Sequence, residues 1–118
     1  MCGVAGIFGD PDRALLERMV RRIVHRGPDG QGIAVVGRAG LGSTRLSLLD
    51  LEGGAQPATG PGGLSLVYNG EVYNHAAVRR ELEREGAVFR GRGDTEVVLR
   101  ALEMRGAGGL EALRACSR

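Results

Sequence analysis

Twenty-one glycines in 118 residues cut this chain into short stretches, and that punctuation limits its possible folds more than any other feature. No apolar run between them approaches membrane-spanning length, so the chain reads as brief strands and helices joined by many turns. A hydrophobic content of 42% suffices for one small globular domain, and nothing marks a second.

Residues 3–8 are apolar and partly β-branched, as in a strand. Gly9-Asp10-Pro11-Asp12 is turn chemistry in which Asp10 or Asp12 can cap a helix. Over 13–24, Leu15, Leu16, Met19, Val20, Ile23 and Val24 recur at helical spacing, which predicts an amphipathic helix with Glu17, Arg18, Arg21 and Arg22 outside. His25-Arg26-Gly27-Pro28-Asp29-Gly30 must be a loop, because Pro28 bars helix at Gly27. Short strands are predicted over 33–36 and 41–45, with a hairpin-like turn at 37–40, and a further strand over 64–68. Between them, the apolar stretch 46–51 runs into a surface loop over 52–63. The absence of lysine removes a Walker-type phosphate loop there.

Asn74 is placed as the N-cap of a helix reaching Glu85, with Val78 and Leu82 inward and Arg79, Arg80, Glu83 and Arg84 outward. A short strand is predicted over 87–90, then a helix from Asp94 to Gly106 carrying Val97, Val98, Ala101 and Leu102, then a weaker helical turn over 110–113. Antiparallel-capable strands interleaved with helices define an α+β layered fold.

A net charge of +2 is too small to imply a polyanion, and the arginines alternate with glutamates on helix faces with few aromatics beside them. No nucleic acid is expected as a partner. The apolar chain start is too short for a signal-peptide core and lacks a basic lead, so no membrane association is expected either. Cys2 and Cys116 form neither a disulfide framework nor a metal-ligand spacing, and a reduced, cytoplasmic compartment is the default.

Cys2 is small enough for Met1 to be trimmed, which leaves a thiol and a free α-amino group on one residue. A free α-amino group titrates near ~8 and a thiol near ~8.5, so such a residue is a nucleophile carrying its own base. The competing reading is an incidental cysteine on a frayed end. Asn69-Gly70 is likewise ambiguous: it is a common two-residue hairpin signal, although Val72-Tyr73 is a short return before Asn74 opens a helix. Arg45 alone reads as a solvated arginine, and Asp94 as a helix N-cap.

Met1 to Ile7, His25 to Gly30, Arg45 to Asp50, Asn69 to Asn74 and Gly93 to Glu96 together resemble the glutaminase domain of class II glutamine amidotransferases. His25-Arg26-Gly27-Pro28-Asp29 and Asn69-Gly70-Glu71-Val72-Tyr73-Asn74 resemble the asparagine synthetases within that group. The resemblance implies an N-terminal-nucleophile hydrolase, a four-layer αββα sandwich, with L-glutamine as substrate. It gives Cys2 the role of nucleophile, and Asn69 and the Gly70 N–H that of oxyanion donors. Arg45 would take the glutamine α-carboxylate, Asp94 and Glu71 its α-ammonium, and the Leu48 region would line the pocket. Asp94 is allowed both jobs, and His25 and His75 are read as structural because the Cys2 amine supplies the base.

The family pattern continues past Arg118 with an apolar glycine-phenylalanine strand and further strands. The resemblance thus covers the first part of a glutaminase domain and none of the ATP-using synthetase domain. ATP and Mg²⁺ belong to that domain, and no cofactor or metal is expected in this chain. Missing strands would leave sheet edges unpaired, so weak or absent glutaminase activity is expected of the 118 residues alone. The alternative is a catalytically silent binding or regulatory remnant that pairs with a synthetase subunit.

Overall fold

The computed structural model describes residues 2–46 and 55–117. Three antiparallel strands form its largest sheet, in the order β1-β3-β2: β1 is Gly3–Phe8, β2 is Gly30–Val36 and β3 is Ala39–Arg45. Directly opposed residues share a face, so the register puts Ile7, Gly40 and Val35 on one side and Phe8, Ala39 and Val36 on the other. Helix α1, Arg13–Arg22, lies on the first side through fully buried Leu16 and Val20. Glycine makes that seat possible: a Cβ on Gly42 would collide with the Val20 side chain. On the opposite side Val4, Phe8 and Val36 are exposed, Phe8 by 79%.

Asp12 caps α1, its Oδ1 accepting from the N–H groups of Ala14 (2.9 Å) and Leu15 (3.3 Å). The helix stops at Arg22, short of the predicted end, because the chain tightens into a 3₁₀ turn over Val24–Arg26. Leu15, assigned to the apolar stripe, is largely exposed.

The predicted strand over 64–68 contracts to β5, Ser65–Leu66, paired with β4, Ala58–Thr59. An unforeseen strand β6, Gly70–Val72, pairs antiparallel with β7, Ala115–Ser117. Asn69-Gly70 is therefore not a hairpin turn. A type I′ turn needs positive φ at its glycine, and Gly70 is not among the described glycines that have it.

Helix α2, His75–Arg84, and helix α3, Asp94–Arg105, share a core of Val78, Leu82, Ala87, Val97 and Ala101. Asn74 stands before α2 without capping it. Its Nδ2 donates to the Ala112 carbonyl (2.8 Å) and its Oδ1 accepts from the Arg114 N–H (2.7 Å), so the side chain clamps the segment leading to β7.

Residues 87–90 form no strand, because side chains satisfy the backbone that a ladder would use. The Glu96 carboxylate accepts from the N–H groups of Arg90 (2.7 Å) and Gly91 (2.8 Å). Arg79, predicted to point outward, instead donates to the Gly91 carbonyl (2.7 Å) and lies over the Phe89 ring at 4.7 Å. The weak turn predicted over 110–113 is part of a 3₁₀ stretch, Gly106–Ala112. Among the described residues no helix is long and apolar enough to cross a membrane.

Leu82 has no solvent exposure at the centre of the α2–α3 core. Leu82→Ala is expected to destabilise the fold by about 2–5 kcal/mol, from lost transfer energy plus a cavity, read as a lower urea midpoint. An unchanged midpoint would place the core elsewhere.

Candidate active site

Cys2 immediately precedes β1, and short-range chemistry holds the backbone there. The Gly3 N–H donates to Thr44 Oγ1 (3.1 Å), and that hydroxyl donates onward to the Ile23 carbonyl (3.2 Å). Thr44 is buried, so both hydrogen bonds are kept from competing water. Arg26 Nε donates to the Cys2 carbonyl at 3.3 Å. The chain start is thus bonded into the fold, and the Cys2 residue is half-buried.

Arg45 ends β3, where the loop after Arg26 works as a clasp. The Asp29 N–H donates to the Arg45 carbonyl (2.9 Å), and Pro28 bridges to the same residue. Gly27 is required by close approach, since a Cβ there would collide with the Arg45 backbone. The Arg45 guanidinium has no hydrogen-bond or ion-pair partner among the described residues.

Asp94 is the first residue of α3, and Gly93 holds the cap position. The capping role read from sequence does not hold: Asp94 Oδ2 accepts from the Val72 N–H of β6 at 2.9 Å. One hydrogen bond thereby ties the start of α3 to the strand that begins at Gly70. An acidic side chain in the first helical turn also suits the positive end of the helix dipole.

Cys2, Arg45, Asn69, Gly70 and Asp94 all line one cavity of about 170 Å³. That is below the roughly 300 Å³ at which drug-sized pockets begin, and it suits a molecule of amino-acid size. A wider groove shares these walls and adds Glu71 and His75. Glu71 therefore borders the approach rather than the small cavity, and Leu48, with the apolar stretch around it, lies outside the described residues. His25 is exposed and borders neither space, and His75 Nδ1 is buried with no hydrogen-bond partner among the described residues. Among the described residues no group of three or more His, Cys, Asp or Glu is placed to hold a metal ion.

Residues that sequence reading passed over are Thr44, Gln56 and Tyr68. Thr44 pins the chain start, and the other two line the cavity beside Asn69. Threonine near a strand end and glutamine in a loop carry no pattern of their own. Their roles exist only once strands distant in sequence are side by side.

The lining of the cavity thus includes a cysteine, an asparagine followed by a glycine, an arginine whose guanidinium has no partner among the described residues, and an aspartate. Arg45 and Asp94 bring opposite charges to one lining, the complement a zwitterion needs to offset the cost of leaving water.

Cys2, bonded into the fold just before β1, is thus part of the wall of this cavity. The sequence pattern of the glutamine amidotransferase domain matches residues 1–116, and the chain belongs to that family. Its curated relatives include asparagine synthetase (glutamine-hydrolyzing) 1 of Bacillus subtilis, 39% identical over an alignment of 107 residues that covers 84% of this chain and 17% of the relative. The root asparagine synthetase of Pisum sativum is 36% identical over 112 residues, 90% of this chain and 19% of the relative. The enzyme of Sandersonia aurantiaca is 35% identical over 112 residues, 90% of this chain and 21% of the relative. The chain spans about a fifth of the length of these relatives.

Proposed function

We propose that this chain is a glutaminase unit that cleaves L-glutamine to glutamate and ammonia, and that the ammonia serves asparagine synthesis from aspartate in a synthetase domain or subunit. The observation that carries this reading is the shared cavity of Cys2, Asn69, Gly70, Arg45 and Asp94. Once Met1 is removed, the Cys2 amine takes the thiol proton and the sulfur attacks the side-chain carbonyl carbon of glutamine. Asn69 and the Gly70 N–H steady the oxyanion so formed. The carbon–nitrogen bond breaks, the amine's proton leaves with the ammonia, and a γ-glutamyl thioester remains. Water attacks it through a second tetrahedral stage, releasing glutamate and restoring the thiol.

Arg45 takes the substrate α-carboxylate, and Asp94 the α-ammonium with Glu71 at the groove wall. Supporting this assignment, the Arg45 guanidinium has no partner among the described residues and its backbone is gripped on two sides. For the fold, we propose that the β1-β3-β2 sheet with α1 forms half of a four-layer αββα sandwich. The exposed face bearing Val4, Phe8 and Val36 is the surface a second sheet would cover.

That same face favours one other reading, a silent module that docks on a synthetase subunit and uses no thiol. Glutamate release from L-glutamine separates the two. Arg45→Gln is expected to raise KM for glutamine about tenfold or more with a smaller change in kcat, because a charge-assisted contact to the bound substrate is lost. An unchanged KM would remove Arg45 from the substrate site.

A further inference from the structure

We propose that Gln56 is a positioning residue that sets the distance between the Cys2 thiol and the Asn69–Gly70 donors. It rests on the glutaminase reading above and extends it to a residue outside the proposed chemistry.

The β4–β5 pairing matches Ala58 with Leu66 and Thr59 with Ser65, so continuing its register puts Gln56 opposite Tyr68. A regular ladder would join those two residues by backbone groups alone. Here the Tyr68 N–H instead donates to the side-chain Oε1 of Gln56 at 2.7 Å. The Gln56 backbone carbonyl is thereby released to the main sheet, where it accepts from Ser43 Oγ at 2.9 Å. Ser43 is buried on β3 and pairs with Val4 of β1 on one side and Gly32 of β2 on the other. Gly32 completes the seat, because a Cβ there would collide with the Gln56 carbonyl.

One residue therefore grips two bodies. Its backbone is fastened to the sheet that carries Cys2, and its side chain fastens Tyr68, the residue before Asn69. Both Gln56 and Tyr68 line the small cavity. A backbone ladder in place of this arrangement would leave the Asn69 segment without a link to the nucleophile's sheet at that point. Misplacement of a reacting group by about 1 Å can cost on the order of 100-fold in rate, so such a link has catalytic consequence without touching substrate.

The test compares two thiol reagents on the chain with Met1 removed and its synthetase domain or subunit present, read at Cys2 by peptide mass. The diazo-ketone analogue of glutamine, 6-diazo-5-oxo-L-norleucine, forms a thioether with loss of dinitrogen and needs the organised site. Iodoacetamide needs only an accessible thiol. Gln56→Met fills similar space without an acceptor, and Gln56→Glu retains an acceptor for the Tyr68 N–H. Gln56→Met is expected to slow diazo-ketone labelling about tenfold or more, with iodoacetamide labelling and the protection given by L-glutamine nearly unchanged. Gln56→Glu is expected to recover most of that loss.

Equal diazo-ketone labelling in the parent and Gln56→Met chains would overturn this inference and leave the glutaminase reading standing. So would a parallel change with both reagents, the mark of a residue that only stabilises the fold, or Gln56→Glu no better than Gln56→Met. A parent chain that takes no diazo-ketone at Cys2 would overturn the glutaminase reading, and this inference with it.

Discussion

With the synthetase domain or subunit present, Cys2→Ala is expected to bring glutamine cleavage down to the background rate while leaving the thermal melt of the chain in place. Removing a nucleophile from a cooperating set commonly costs roughly 10⁴-fold or more, because the remaining groups have nothing to assist. The fold should tolerate the change. The contacts that hold the chain start come from the backbone around it: the Cys2 carbonyl accepts from Arg26, and the Gly3 N–H donates to Thr44. None of these bonds uses the sulfur. Cys2→Ser should be almost as damaging, since a hydroxyl gives up its proton far less readily than a thiol. A chain that keeps Met1 should match the alanine variant, because the base is then an amide nitrogen. Ammonia release at the parental rate from either substituted chain would place the nucleophile elsewhere.

Asn69→Ala is expected to lower kcat about 10²- to 10³-fold, the usual loss for one oxyanion donor, with KM for glutamine changed far less. The asymmetry follows from the cavity. The charges proposed for the ends of glutamine, Arg45 and Asp94, come from β3 and α3, whereas Asn69 immediately precedes β6. Substrate binding and oxyanion stabilisation are thus carried by different elements. Asn69→Asp should be no better than alanine, since a carboxylate beside the developing oxyanion repels it. A mutant whose KM rises while kcat holds would make Asn69 a substrate-binding residue only.

How much of this was legible beforehand depended on whether the governing contact was local. A cap at Asp10 or Asp12 and a helix from Asp94 to Gly106 follow from neighbouring residues, and the structure has the cap at Asp12 and the helix over Asp94–Arg105. Cys2, Asn69, Gly70, Arg45 and Asp94 were legible through motif resemblance, and the fold brings all five to one cavity. Pairing of Gly70–Val72 with Ala115–Ser117 depends on segments far apart in the chain, and three residues carry too little alternation to announce a strand. The strand expected over 87–90 failed for a related reason. Its composition suits a strand, but Glu96 and Arg79 supply the backbone with partners that no local pattern encodes. Asn74 has the right identity and place for a cap, yet its two hydrogen bonds go to Ala112 and Arg114. Gln56 shows the same limit, since nothing in a loop sequence says which distant N–H an amide will meet.

The central claim is a covalent one: the sulfur and the amine of a single processed residue cooperate to open a carboxamide. Acid quenching the chain, with its synthetase domain or subunit present, during incubation with L-[¹⁴C]glutamine tests it most directly. One radiolabel per chain should be found on a peptide beginning at Cys2, released by hydroxylamine as the γ-glutamyl hydroxamate. Label on any other peptide, or none on a chain that still releases ammonia from glutamine, would contradict it.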